Sequence, residues 1–185
     1  MTNTRATGGE GSVRCMGCGA LVPGDTGPTH AYMRASPGCW RLYGELMARA
    51  HLQPSVPAVQ ALSVDCYAVQ HPGGAADDRR QRQSVAVHLI ALCLQIDGGR
   101  PPQHVAGLRG RISQVTLPRL GLVDWPYLAP PAEHASVTVA DVRRAADTPL
   151  YPDVLEAWSR AAWTAWAAHH DTVRVWAAAT VGRKA

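Results

Sequence analysis

The sequence has no run of 18 apolar residues, and its first dozen residues, Met1 to Ser12, are polar and glycine-rich with no hydrophobic stretch. Neither a membrane-spanning helix nor an export signal is expected, so the chain reads as cytoplasmic with a disordered start over 1–12. It also has a single lysine: the formal charge of +4 comes from 17 arginines and Lys184 against 14 acids, scattered singly or in pairs. The densest basic run, Arg79-Arg80-Gln81-Arg82, follows Asp77 and Asp78, which offset it. Such a weak footprint argues against a dedicated nucleic-acid binder. No alternating pattern long enough for a sheet is visible, and no internal repeat or low-complexity tract, which excludes sandwich and solenoid architectures. The five cysteines are an odd number in a chain without an export signal. A disulfide framework is therefore not expected, and free thiols or metal ligands remain.

What is present is the composition of an ordinary globular chain. With 185 residues and 46% hydrophobic content, residues 13–185 are long enough to bury a core as one helical domain. Gly 17 and Pro 14 together make 31 of 185 residues, so several loops must interrupt the helices. Ser36-Pro37 supplies an N-cap with proline at the first helical position, and Leu42, Leu46 and Ala50 recur four apart, which predicts a helix over 37–51. Pro54 and Pro57 separate it from a second helix over 57–71, with Val59, Leu62, Cys66 and Val69 as its apolar stripe. Residues 84–96, apolar nearly all round, predict a central helix. Val105, Leu108, Ile112 and Val115 suggest one short helix, and the stretch after Pro118 reads as a surface loop exposing Trp125-Pro126-Tyr127. Thr138 and Asp141 have capping-box spacing before a helix over 139–146. Asp153 can cap a long last helix whose Leu155, Trp158, Ala162, Trp166, His169, Val173 and Trp176 form one seam. The fold class is mainly α, a helical bundle.

The strongest chemical signal lies at the start of this domain. Cys15-x-x-Cys18-Gly19 has the form of a zinc knuckle, because two thiolates two residues apart can chelate one ion and the glycine allows the tight turn. Cys39 falls in the first turn of the helix begun by Ser36-Pro37, where the helix dipole favours a thiolate. His30, in the loop between, would complete a Cys3His set, so segment 13–40 reads as a treble-clef-like structural zinc site packed on the bundle. The alternative for Cys15 and Cys18 is a labile redox pair. Cys66 and Cys93, inside apolar helical patterns, read as core residues.

A second constellation consists of histidines on separate helices: His71, His88, His169 and His170. Aimed at one interior, they could hold a second divalent metal and leave a position open. Asp65, His71, His88 and His170 are then the candidate catalytic residues, with Asp65 as ligand or orienting partner. Asp65 lies about 120° around its helix from His71, which favours a looser pocket over a shared ion. The competing account is a filled interior, with His88 satisfied by a core acceptor and His169 and His170 part of an aromatic seam.

The segments Cys15-x-x-Cys18-Gly19, Gly27-Pro28-Thr29-His30, Ser36-Pro37-Gly38-Cys39-Trp40, Tyr67-Ala68-Val69-Gln70-His71-Pro72-Gly73, Gln83-Ser84-Val85-Ala86-Val87-His88-Leu89 and Trp163-x-x-Trp166-x-x-His169-His170 together resemble an uncharacterised bacterial family, a domain of unknown function. The resemblance covers most of the chain after residue 14 and implies no reaction. Two functional readings stand at this point. One is a zinc-containing helical protein whose His-lined site binds a second metal or small molecule and could support metal-assisted hydrolytic or transfer chemistry. The other is a non-enzymatic zinc-containing module that presents the knuckle and the Trp125 loop to a protein partner.

Overall fold

Where the chain leaves its polar start it turns back on itself before making a helix. The computed structural model describes residues 11–50 and 56–182 and opens with an antiparallel hairpin of β1 (Ser12–Arg14) and β2 (Leu21–Pro23), Val13 opposite Val22. Strands of three residues leave no alternating trace, which is why the sequence predicts no sheet. Ser12, expected in the disordered start, is already paired; residues 1–10 of that expectation lie outside the described residues.

Eight helices follow among the described residues: α1 (Pro37–Ala50), α2 (Val56–Gln70), α3 (Arg79–Ile96), α4 (Pro102–Arg109), α5 (Ile112–Arg119), α6 (Val139–Ala145), α7 (Tyr151–Ala165) and α8 (His170–Val181). The first two match their expected bounds within one residue, because breakers set them. α3 begins five residues before the expected 84. Asp78 caps it by accepting from the backbone N–H groups of Arg80 and Gln81, so the polar run Arg79 to Gln83 is helical although it carries no apolar period. The expected single helix around 105–115 is two, broken at Gly110 and Arg111. The capping box is present, with Asp141 accepting from Thr138 N–H at 2.9 Å.

The long last helix is also two pieces, α7 and α8, joined by a 3-10 turn over Ala167–His169. Its start is held by the Thr148 hydroxyl, which accepts from Leu150 N–H at 3.2 Å, with Asp153 inside the first turn. Trp158 Nε1–H donates to Gln70 Oε1 at 2.8 Å and Trp166 Nε1–H to the Val69 carbonyl at 3.1 Å. These bonds pin α7 to the C-terminal end of α2, so the helix is broken where its tryptophan is anchored.

α3 occupies the centre, packed by α2, α4, α5, α7 and α8. Leu89, Ile90, Ala91 and Leu92 are wholly buried there, and each large side chain removed from water stabilises the fold by about 1.5–3 kcal/mol. Cys66 and Cys93 are buried too, as expected of core thiols. Trp125, expected at the surface, is only 1% exposed. Its indole N–H donates to Ser113 Oγ at 3.0 Å and its ring packs on Trp176, so the interaction-module reading loses its main surface residue. Among the described residues no helix is long and apolar enough to cross a membrane.

Candidate metal centre

The knuckle is shaped by its backbone. Gly19 N–H donates to the Cys15 carbonyl at 2.9 Å and Cys15 N–H to the Ala20 carbonyl at 2.7 Å, closing a turn that puts Gly19 at φ +74°. A side chain at that φ is strained. Gly17 has a different constraint: a Cβ there would collide with the Arg34 carbonyl oxygen and lie 2.6 Å from His71 Cδ2. The tight turn therefore brings both thiols down onto the end of α2.

Cys39, third residue of α1, meets them. Its Sγ lies 3.8 Å from Cys18 Sγ and 3.3 Å from His71 Nε2. The donor atoms of Cys15, Cys18, Cys39 and His71 all lie within 4.8 Å of one another, and the four residues are 1%, 2%, 0% and 0% exposed. At 3.8 Å Cys18 and Cys39 are far beyond the ~2.05 Å of a disulfide, and all three cysteines are free thiols. The group can hold a metal ion.

Neighbours fix the orientation of each ligand. His71 Nδ1–H donates to the Tyr67 carbonyl at 2.7 Å, which leaves Nε2 facing the sulfurs. Tyr67 stacks on the His71 ring at 3.9 Å, and its hydroxyl lies 3.6 Å from Cys39 Sγ. Ser36 N–H points at Cys15 Sγ at 3.5 Å, and Ser36 Oγ accepts from Met16 N–H at 3.3 Å, tying the helix start to the knuckle. The crowding also redistributes protons. Hydrogen bonds with Cys18 and Cys39 push the Cys15 thiol far down, whereas hydrogen bonds with Cys15 and Cys18, together with burial, push Cys39 far up. Burial opposes a charge on His71, but Cys15 and Cys18 outweigh it and hold its pKa up to about 9.

His30, expected as the fourth ligand, lies outside the cluster. It belongs to a row of rings that runs from His71 through Tyr67, Tyr43 and Trp40 and on to Tyr32, and its Nδ1 accepts from Tyr32 N–H at 3.4 Å. His71, read from the sequence as part of a second site, is the imidazole that lies with the three thiols, although 32 residues separate it from Cys39. The bridge between Met33 and Pro72, with Arg34 N–H donating to the His71 carbonyl at 3.2 Å, brings it there.

A family described as one of unknown function, DUF5946, matches residues 13–167. The chain belongs to DUF5946. The matched region contains the whole Cys3His cluster and the residues of the second constellation up to Asp65 and His88. No curated protein and no solved structure matches this DUF5946 chain.

The second expected metal site does not assemble. Among the described residues the Cys3His cluster is the one group of three or more metal-ligating side chains whose donor atoms lie together. His88 Nδ1 lies 2.7 Å from Asp65 Oδ1, His169 Nε2 donates to the Ala129 carbonyl at 2.9 Å, and His170 stacks flat on Trp163 at 3.9 Å with Nε2 on that residue's carbonyl. His170 thus packs on Trp163 and His169 lies beside Trp166, each partly exposed. Asp65 and His88 do meet, joined by Arg109, which grips both Asp65 oxygens at 2.9 Å, and by Gln95 at 2.8 Å. Neither of those two partners was visible in the sequence, because Arg109 ends a short helix with little apolar period and Gln95 is one polar residue in an apolar run.

Proposed function

We propose that this chain is a zinc-braced helical protein in which Cys15, Cys18, Cys39 and His71 hold one structural Zn²⁺. The spacing of the donors supports the ion. Four ligands at tetrahedral Zn–S distances of ~2.3 Å put sulfurs ~3.8 Å apart and sulfur and imidazole nitrogen ~3.5 Å apart. The Cys18 to Cys39 separation of 3.8 Å and the Cys39 to His71 separation of 3.3 Å lie close to those edges.

Closure supports the structural role. Four protein donors fill a tetrahedral zinc, and none of the four residues is more than 2% exposed, so no coordination position remains for substrate. Zinc would cross-link three places that are distant in sequence: the knuckle, the first turn of α1 and the end of α2. Free thiols of this kind suit a reducing, cytoplasmic compartment. The single observation that carries the proposal is the convergence of three sulfurs and one correctly oriented imidazole on a point inside the protein.

Elemental analysis of untagged protein tests it. One zinc per chain is expected in the wild type and none in Cys15→Ala. A wild type without zinc, or a Cys15→Ala protein that keeps it in full, overturns the proposal.

A further inference from the structure

Away from the metal cluster, a buried carboxylate joins α2, α3 and α4 through Asp65, His88, Gln95 and Arg109. Asp65 is 0% exposed, and both its oxygens are fully used, Oδ1 by His88 Nδ1–H and Arg109 Nε–H, Oδ2 by Arg109 and Gln95. A carboxylate so deep needs partners of this strength. Arg109 and Gln95 already provide three donors, including the opposite charge. His88 adds a fourth, and the consequence is on the ring: a carboxylate only accepts, so Nδ1 carries a proton and Nε2 is the nitrogen left facing away from Asp65, an acceptor in the neutral form of the ring.

No protein group bonds Nε2 among the described residues, and the ring lines an open cleft of about 800 Å³ between α3 and the turn from α4 to α5. That is the size of small-molecule sites, roughly 300–1,000 Å³. Arg79, Arg80 and Arg109 line the same cleft, with Ser84 and Ser113 among its polar groups. Asp65 is neutralised from behind by Arg109, and Asp124 is held by Arg82 at 2.6 Å with Arg79 further off at 3.4 Å. The Arg80 guanidinium has no acidic partner among the described residues. The cleft therefore combines uncompensated positive charge with one directed acceptor.

We propose that this cleft binds an anionic small molecule bearing a carboxylate or phosphate. Arg80, with Arg79 beside it, takes the anionic group; His88, oriented by Asp65, accepts a hydrogen bond from a hydroxyl or similar donor on the same molecule. Arg109 is a positioning residue that balances Asp65. The site does not depend on the zinc proposal, because its walls are helices of the bundle and only Tyr32 comes from the N-terminal segment.

Histidine nitrogen NMR on the full, zinc-loaded chain tests this, with sodium phosphate and then citrate as probes and sodium chloride at matched ionic strength as control. The expected result is a saturable shift at His88 Nε2 with phosphate or citrate, larger than that at Nδ1. Arg80→Gln, a surface change, is expected to weaken binding by about tenfold or more. A shift that chloride reproduces, that Arg80→Gln leaves unchanged, or that does not occur with either probe overturns the proposal. A single-stranded oligonucleotide that binds the cleft more tightly than phosphate or citrate also overturns it, by assigning the cleft to a polymer. Zinc content is measured on each sample, so loss of the metal proposal and loss of this one give different results.

Discussion

His71 Nδ1 lies 2.7 Å from the backbone carbonyl of Tyr67, one helical turn earlier, and that bond decides which imidazole nitrogen faces the three sulfurs. The carbonyl belongs to the last turn of α2, where backbone acceptors are left over. A leftover group of the helix end is thereby turned into the orienting partner of a ligand.

The two histidines near the cluster should accordingly behave differently. His71→Ala is expected to lose zinc, or to yield it to a chelator at least about 100-fold more readily, since removing even an orienting partner costs 10–100-fold. His30→Ala is expected to keep one zinc per chain and lose only ring packing. Chelator competition followed spectroscopically separates them, and equal behaviour would reject the assignment of His71.

Gly17→Ala carries a steric prediction. The added methyl group meets the Arg34 carbonyl and His71 Cδ2 at 2.6 Å, and neither can move without shifting the ligand or the bridge that holds it. Weaker zinc retention and a lower Tm are expected. The same substitution at Gly107, where a Cβ would meet nothing within 4 Å, should raise helix stability slightly, by under about 1 kcal/mol.

Asp65→Asn should cost about 3 kcal/mol by urea unfolding, the lower end of what breaking a buried ion pair costs, because Arg109 is 21% exposed and can turn toward water. Zinc content should stay at one, since Asp65 makes no contact with the cluster. Combining Asp65→Leu with Arg109→Met should recover much of the loss by replacing the pair with apolar packing.

The pH dependence should differ between metal-free and zinc-loaded protein. In the metal-free chain His71 titrates at about 9, above its ordinary 6.5, so its contribution to stability is complete below pH 6.5 and is lost as pH rises through 9. Zinc requires a neutral imidazole and thiolates, so over the same window fewer protons must be displaced and binding tightens. The Tm increment on adding zinc should therefore grow from pH 6.5 to 9. An increment that is flat or shrinks would contradict this coupling.

Local signals were accurate where a local cause acts alone. Ser36-Pro37 starts α1, Thr138 and Asp141 cap α6, and Cys15, Cys18 and Cys39 meet as their spacing implies. Periodicity failed where a side-chain cap overrode it, as Asp78 does at α3, and where a tertiary hydrogen bond interrupted a continuous pattern, as Trp166 does between α7 and α8. Trp125 misled for a related reason: neighbouring prolines suggest a surface loop, but nothing in the sequence reveals Ser113 as the acceptor for its indole.

The sequence by itself determined a mainly helical chain, the knuckle and the cysteine at the start of α1, because turns, caps and two-residue ligand spacing are properties of neighbouring residues. Only the tertiary structure decided that His71 stands where His30 was expected and that Asp65, His88 and Arg109 share one network. Those contacts span 23 to 44 residues, and packing, which depends on surface burial and leaves no mark in sequence distance, selects which of the chain's eight histidines reaches which site.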